Sequence, residues 1–330
     1  MRKPMSSKAK VWSEFTRMRI KHPRLEAVYE SFDDLRDYGA AVPFEPKGYV
    51  KLLAPTHSGK STSVKSYIEE VVVPEAIERG LFSADTEPDI IANNQKLVLH
   101  VTLSPNATPK SLATDILQRL GDPRAHEGSQ TNLETRVYRM LQETGVELII
   151  LDELQHMGSS ALKVELDGTV RRLTKANPTA VANTLKTMLI RGLVPIAFVG
   201  TLDAAQFLTF DGGQISWRRL EDLDFSPLRW DVPQDRKFFI EWCGKVGIKV
   251  HEHGLLPKRP NLVKGKIPVN LWVASAGRIG FVSRIAQSAV IHAAKRGSDV
   301  LEESDLEWAV DETSIPNNIC TYNPRRSRET

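Results

Sequence analysis

The sequence predicts an α/β fold in which a parallel sheet with crossover helices is followed by a smaller helical domain. Apolar runs that suit buried strands alternate with helix-compatible stretches between residues 46 and 230, an arrangement typical of parallel sheets. After Pro233 the strand-like runs stop and the pattern is helical. The first predicted strand also leads through Gly59-Lys60-Ser61 into a helix-compatible stretch, which is the layout of a phosphate-binding loop.

Hydrophobic periodicity, glycine and proline predict the individual elements. Residues 11 to 40 are predicted to be helical, with Pro23 breaking the run. The predicted strands are 49–54, 96–103, 148–151, 194–200 and one near 223–230. The predicted crossover helices are 59–80, 109–120 with Gly121 as its C-terminal cap, 131–144 and 178–191. The second domain is predicted to contain helices at 234–246, 268–275, 278–296 and 303–312, with a basic loop from His251 to Pro268.

These elements predict four regions along the chain. Residues 1–45 form a basic helical extension, 46–232 the sheet domain, 233–312 the helical domain and 313–330 a basic tail. Residues 1–25 carry eight Lys or Arg against Glu14 alone, although the whole chain has a net charge of only +3. Such a basic arm favours nucleic acid or an acidic protein as partner, while a solvated, disordered tail is an equally good interpretation.

The composition narrows the classes of protein to consider. At 330 residues with 41% hydrophobic and 26% charged residues, the chain has the composition of a globular protein, and no stretch is apolar enough to span a membrane. Cys243 and Cys320 belong to no metal-binding or disulfide pattern. We therefore expect a cytoplasmic protein without a membrane association.

Residues 54–61 are predicted to bind the phosphates of a nucleotide. Gly59 allows close approach of backbone N–H groups, Lys60 neutralises β/γ oxygens, and the Ser61 hydroxyl holds Mg²⁺. The consensus begins with Gly, whereas this chain has Ala54. The alternative is an ordinary helix start that is capped by Ser58.

A second motif supports the nucleotide interpretation. The run Leu148-Ile149-Ile150-Leu151-Asp152-Glu153 suits a buried parallel strand that ends in two carboxylates. In this Walker B pattern Asp152 holds Mg²⁺ through water, and Glu153 polarises the water that attacks the γ-phosphate. The alternative, a core strand that ends in a solvated acidic turn, loses weight once Lys60 is considered with it.

Two further positions are candidate catalytic residues. Thr201 follows a predicted strand, so its hydroxyl is expected beside Asp152 as a sensor; alternatively, Thr201 caps a helix that begins near Asp203. Arg218 or Arg219 could reach a neighbouring subunit's nucleotide as an arginine finger. The alternative for this pair is a surface ion pair with Glu221 and Asp222.

In order, these motifs resemble the AAA+ regulators of DNA transposition, the TnsC and TniB group. The resemblance covers about residues 45–312, and its segments are His57-Ser58-Gly59-Lys60-Ser61, Leu151-Asp152-Glu153-Leu154-Gln155-His156, Val199-Gly200-Thr201, Gln214-Ile215-Ser216-Trp217-Arg218, Thr108-Pro109-Lys110-Ser111-Leu112 and Leu120-Gly121-Asp122-Pro123. It implies an AAA+ P-loop NTPase fold with a five-stranded parallel sheet and a small helical lid domain.

The resemblance also implies roles for residues. Glu153, Thr201 and Arg218 would be catalytic, and Ser61 and Asp152 would hold the metal. The nucleotide would contact Pro55, Thr56, His57, Ser58, Gly59, Lys60, Ser61, Thr62 and, in the lid, Arg278. In Ala276-Gly277-Arg278-Ile279-Gly280, Gly280 stands where other AAA+ proteins have a sensing arginine, so Arg278 and Arg284 are both possible substitutes.

The function implied is that of a slow ATPase that uses ATP and Mg²⁺. It would assemble as a ring or helical filament on double-stranded DNA, link a target-selection protein or RNA-guided complex to transposase subunits, and disassemble on ATP hydrolysis. The candidate DNA contacts, none of which reads bases, are Thr108, Lys110, Arg171, Arg172 and Lys175. Two alternatives stay open, a loader of a helicase or clamp and a non-hydrolysing scaffold with structural ATP.

Overall fold

The computed structural model describes residues 7–43, 45–157, 162–164, 170–172, 178–208 and 215–326. For residues 162–164, 170–172, 178–179 and 216 it describes the backbone alone. Contacts group the chain into two units. The sheet unit comprises Pro23–Pro55 and Lys60–Phe225, and the helical unit comprises the residues up to His22, Thr56–Gly59 and the residues from Ser226 onward.

Five parallel strands form the sheet. They are β1 Tyr49–Leu53, β2 Val98–Thr102, β3 Leu148–Asp152, β6 Ile196–Gly200 and β7 Arg219–Asp222. Their spatial order is β2-β3-β6-β1-β7, and every neighbouring pair is parallel. The predicted five-stranded parallel sheet is therefore confirmed. A separate antiparallel pair consists of β4 Leu162–Val164 and β5 Val170–Arg172, which the sequence did not predict.

The central strands are apolar because helices cover both faces of the sheet. Every residue of β3 and β6 is buried. Along these strands, alternate residues enter two different hydrophobic cores, with Ile149 and Leu151 on one face and Leu148 and Ile150 on the other.

The position of the last strand differs from the prediction. The prediction of a strand near 223–230 is wrong, because the pairing of β7 with β1 ends at Asp222. One further hydrogen bond follows, from Leu223 N–H to Lys51 O at 2.8 Å. Leu223 and Phe225 are buried in the core of the sheet unit, so their apolar character reflects packing rather than a continued strand. Pro227 also lacks the N–H that a strand would use.

Helices of the sheet unit lie in or near their predicted ranges. They are α2 Pro23–Ala41, α3 Lys60–Tyr67, α4 Val73–Glu78, α5 Pro88–Asn94, α6 Pro109–Leu120, α7 Gln130–Thr144 and α8 Pro178–Ile190. A π-helical turn, Ile68–Val72, joins α3 to α4, so the predicted helix 59–80 is interrupted. Gly121 ends α6 with φ 90°, which confirms the predicted glycine cap. The sequence did not predict α5.

The helical unit consists of α1 Ser7–Arg17, α9 Pro233–Glu252, α10 Ile267–Ser275, α11 Ile279–Lys295 and α12 Glu303–Thr313. Val11, Met18 and Ile20 are buried in its core. Residues 7–22 of the basic arm are therefore packed, which contradicts the disordered-tail interpretation for this part. His251 and Glu252 belong to α9, so the predicted basic loop begins later than expected; buried Val246 and Val250 extend the apolar face of that helix.

The predicted domain boundaries at 45, 232 and 312 stay predictions. No helix among the described residues is long and apolar enough to cross a membrane.

Candidate functional site

The loop after β1 places Lys60 inside its own curve. Ala54 N–H donates to Gly200 O at 3.1 Å, which ties the start of the loop to the end of β6. Lys60 is the first residue of α3 and is only 8% exposed. Its Nζ donates to Ala54 O at 2.6 Å and Pro55 O at 2.8 Å. The loop carbonyls thus hold the ammonium group next to the backbone that is predicted to surround phosphates.

Backbone conformation explains why Ala54 is tolerated. Gly59 has φ 101° and His57 has φ 61°, whereas Ala54 is not among the residues with positive φ. Only the later part of the loop therefore needs the conformational freedom of glycine. Ala54 is fully buried, and its methyl group contributes to the core instead.

Ser58 does not cap the helix. Its side chain is 3% exposed, and its Oγ has no hydrogen-bond partner among the described residues. The alternative of a helix start capped by Ser58 is therefore contradicted. A buried hydroxyl without a partner is unfavourable, and a phosphate oxygen is a group that would satisfy it.

Asp152 ends β3 with a carboxylate surrounded by donors. Its Oδ1 accepts from Glu153 N–H at 2.8 Å, and its Oδ2 lies 3.2 Å from His100 Nε2. Burial raises the pKa of Asp152, but hydrogen bonds from His100, the Glu153 backbone and the Ser61 hydroxyl outweigh it, so the pKa lies below its usual 3.8. The two predicted metal ligands, Ser61 and Asp152, are thus in contact.

A carboxylate offers about four acceptor positions, so Asp152 can still bind a metal-bound water. This donor set fits Mg²⁺, which in nucleotide sites uses one or two protein oxygens together with phosphates and waters. The cluster therefore fits the predicted ATP and Mg²⁺ chemically.

Glu153 is joined to Thr201 through a side chain that sequence reasoning assigned no role. Gln155 Nε2 donates to Glu153 Oε2, and Gln155 Oε1 accepts the Thr201 N–H at 3.1 Å. Glu153 has φ 60°, an uncommon conformation for a residue with a side chain, and such residues cluster at functional sites. Gln155 therefore holds the Glu153 carboxylate, while the Glu153 N–H is bound to Asp152.

The sensor role predicts that the Thr201 hydroxyl lies beside Asp152, but the structure does not place it there. The hydroxyl donates to the Asp203 carboxylate instead, at the start of the 3₁₀ helix Leu202–Leu208. The local, helix-starting alternative thus describes its side chain, while its backbone N–H is the group linked to Glu153.

His100, which contacts Asp152, is the second residue of this cluster to which sequence reasoning assigned no role. The available signal was a polar residue in the apolar run Leu97-Val98-Leu99-His100-Val101.

The two candidate finger arginines differ in their partners. Arg219 begins β7 and pairs with Asp222 at 3.2 Å, as the surface ion-pair alternative expects. Arg218 ends a 3₁₀ turn, and its side chain forms no ion pair with any residue that the structure describes. Its neighbour Trp217 is 88% exposed. Arg218 is the better candidate of the two, and its role as a finger stays a prediction.

Within the helical unit, Gly280 is required by a close backbone approach. A Cβ at this position would lie 2.5 Å from His57 O, which no side chain tolerates. This explains why position 280 has no side chain and cannot supply the sensing arginine that the resemblance would place there. Arg278 Nε is buried without a partner among described residues, whereas Arg284 donates to Gln287 at 2.8 Å. Arg278 is therefore the better candidate of the two for the sensing arginine.

The structure describes the candidate DNA-contacting residues to different extents. Thr108 caps α6 through Ser111, which gives its hydroxyl a structural role, and Lys110 is exposed. Arg171 and Arg172 lie on β5, but their side chains are not described. Lys175, like Gln214 of the resemblance, lies outside the described residues. The DNA contacts stay predictions.

Comparison with known proteins supports the architecture. Residues 45–208 match a family model described as an AAA domain. The comparison with curated proteins gives no match.

Three solved structures are similar over most of the chain. The Aeropyrum pernix ORC1 protein in complex with DNA has a TM-score of 0.58 at 14% identity, covering 93% of this chain and 70% of that one. The Cdc6p protein of Pyrobaculum aerophilum has a TM-score of 0.56 at 13% identity, with coverage of 91% and 70%. The Aeropyrum pernix ORC2 protein, in ADPNP-ADP complexes, has a TM-score of 0.55 at 15% identity, with coverage of 89% and 68%. Together with the sheet order, these similarities show that the chain has the AAA+ P-loop fold.

Proposed function

We propose that this protein is an ATPase that assembles on duplex DNA, independently of sequence, and disassembles when it hydrolyses ATP. The observation that carries the proposal is the cluster at the carboxyl edge of the sheet. There the Ser61 hydroxyl hydrogen-bonds to the Asp152 carboxylate, and the preceding residue, the buried Lys60, is held by the carbonyls of the loop after β1.

Each residue has a task that its chemistry supports. Bound Mg²⁺ would neutralise phosphate charge and orient the γ-phosphate for attack by water. Lys60 would neutralise phosphate oxygens from within the loop, and Ser61 and Asp152 would hold the metal. Glu153 would accept a proton at its carboxylate from the attacking water, in the orientation that Gln155 supports.

Two observations support DNA as the partner. The basic residues of the N-terminal arm supply the charge that sequence-neutral backbone contact requires. The Aeropyrum pernix ORC1 protein, which shares the fold, was solved in complex with DNA. Neither of these observations depends on a motif that reads DNA bases.

The finer proposal is that the assembly links a target-selection complex to a transposase. It rests on the resemblance to the TnsC and TniB group, above all on Leu151-Asp152-Glu153-Leu154-Gln155-His156. Arg218 would act on the ATP of a neighbouring subunit in this assembly.

The test is assembly on duplex DNA with ATP, followed by sedimentation and by electron microscopy. Lys60→Ala should abolish the assemblies, because the loop loses its only buried cation. The matched control is Lys65→Ala, an exposed lysine on the same helix, which should assemble normally. Equal DNA binding by Lys60→Ala and the unmodified protein would contradict the proposal.

Separate measurements address the finer proposal. Stimulation of DNA insertion by a transposase supports the transposition role. Stable co-purification with a helicase, without any effect on insertion, supports a loader instead. Absence of phosphate release with and without DNA identifies a non-hydrolysing scaffold.

A further inference from the structure

His100 lies on the strand next to the one that carries Asp152. β2 and β3 pair in parallel, with His100 opposite Ile150 and Thr102 opposite Asp152. Because side chains alternate along strands, His100 and Asp152 project from the same face of the sheet. This is also the face on which α3 packs, since Val64 of α3 shares a core with Ile150.

The hydrogen bond between the two side chains has a defined direction. A carboxylate oxygen accepts hydrogen bonds, so the His100 tautomer that satisfies this 3.2 Å contact carries its proton on Nε2. Asp152 is almost entirely buried, with 4% exposure. Its carboxylate therefore cannot turn toward bulk water for an alternative partner.

Two of the three donors to Asp152 act on opposite oxygens of its carboxylate. Oδ1 accepts the Glu153 N–H and Oδ2 accepts the His100 N–H, on opposite oxygens of one group. The terminal torsion of an Asp side chain is intrinsically broad. Without His100, Oδ2 would lose the donor that lies 3.2 Å away, and rotation about this torsion would be less restrained.

We propose that His100 is a positioning residue that orients Asp152 for Mg²⁺. This inference rests on the proposed function, in which Asp152 is a metal ligand. Residues that orient metal ligands through hydrogen bonds typically change metal affinity by about 10- to 100-fold when they are removed. His100 thereby sets how much Mg²⁺ the protein needs to retain ATP.

A merely structural role for His100 is the competing explanation. His100 lines an open cleft of about 690 Å³, together with Lys65, Asn93, Lys96 and Arg119. In that case its ring would support the wall of the cleft, and its removal would affect folding or nucleotide binding with or without metal.

Two substitutions separate these roles. In His100→Gln the side-chain amide can reach Asp152 as an N–H donor, whereas His100→Leu keeps the bulk and removes the donor. The measurement is equilibrium binding of a fluorescent ATP analogue over a Mg²⁺ titration, with a parallel series in EDTA. We expect His100→Leu to raise the half-saturating Mg²⁺ concentration by about 10- to 100-fold. His100→Gln should stay within about threefold of the unmodified protein, and binding in EDTA should be equal in all three.

Several results would overturn the inference. They are an unchanged Mg²⁺ midpoint in His100→Leu, equal defects in the Leu and Gln variants, or an equal loss of binding in EDTA. Asp152→Ala and Lys60→Ala are measured alongside. If both bind nucleotide like the unmodified protein, the proposed function itself fails; if both are defective and His100→Leu is normal, only the role of His100 fails.

Discussion

The strand β3 has a cluster of charged residues at each end, and the two clusters are organised differently. At its amino end Glu147 meets Arg36, whose Nη2 lies 2.5 Å from Glu147 and 2.6 Å from Glu75. Arg79 also pairs with both of these carboxylates. At its carboxyl end, about 16 Å away at the usual rise of a strand, lies Asp152.

The difference lies in how each charge is compensated. Around Arg36, which is 7% exposed, the carboxylates are paired with guanidinium groups of the protein itself. The hydrogen-bond donors to Asp152 are instead His100, the Ser61 hydroxyl and the Glu153 backbone N–H. We infer that the amino-end cluster serves stability, whereas the carboxyl-end cluster keeps its charge for a ligand.

Glu153→Gln should have the largest effect of these variants. We expect it to lower ATP turnover at the carboxyl end of β3 without changing stability. Loss of the general base typically lowers turnover by about 10²- to 10⁴-fold. Steady-state phosphate release should fall accordingly, and ATP-dependent assemblies on DNA should persist because ATP still binds. The urea midpoint should match that of the unmodified protein. Normal turnover in this variant would exclude Glu153 as the base.

Arg36→Met should produce the largest loss of stability at the amino end. Met retains an apolar stem but removes the buried guanidinium that pairs with Glu75 and Glu147, and breaking a buried pair in this way costs about 3–5 kcal/mol. Urea unfolding followed by circular dichroism measures this loss.

Arg79→Met is the control for Arg36→Met. Arg79 pairs with the same two acids, but its side chain is 43% exposed. Its loss should cost about 1 kcal/mol or less. If Arg36→Met had unchanged stability but a lower ATP affinity, the amino-end cluster would serve nucleotide binding rather than stability, and our inference would be contradicted.

The pH dependence of stability tests the amino end separately. Burial raises the pKa of Glu147, but hydrogen bonds from Arg79 and Arg36 outweigh it and hold the pKa below 4.5. The unfolded chain then binds more protons than the folded one, so stability falls as the pH drops below about 4.5. Glu147→Gln should therefore be less stable at neutral pH and should lose less of its remaining stability between about pH 5 and pH 3. An unchanged acid slope would show that Glu147 does not contribute to it.

Ala54→Gly should have the smallest effect, although it restores the consensus of the loop. Because Ala54 does not adopt a positive φ, Gly adds no accessible conformation that the loop uses. The added freedom of the unfolded chain should cost about 0.5–1 kcal/mol. Phosphate release and ATP affinity should stay within about twofold. A tenfold faster release would show that Ala54 slows hydrolysis.

The local sequence pattern was sufficient to predict those parts of the site whose structure depends on residues close together in the sequence. The buried strand that ends in Asp152-Glu153 and the turn into Lys60-Ser61 both follow from residue types a few positions apart. The strand near 223–230 failed for the same reason, because buried Leu223 and Phe225 resemble a strand locally while they pack without pairing.

Contacts between distant segments could not be predicted in this way. His100 and Asp152 meet only because β2 and β3 are neighbours in the sheet, and Gln155 reaches Thr201 only because β6 lies beside β3. The sequence marks His100 as a polar residue in an apolar run, but it contains no signal for which residues His100 and Gln155 contact.

The sequence by itself determined the α/β class, the phosphate loop with its lysine, and the strand that carries Asp152 and Glu153, because glycine, apolar runs and charge act over a few residues. Only the tertiary structure decided which donors surround each carboxylate, why Ala54 suffices and why Gly280 cannot be an arginine. Those outcomes depend on strand order, on backbone dihedral angles and on the 2.5 Å approach of a carbonyl oxygen, and all of them arise when segments far apart in the chain pack together.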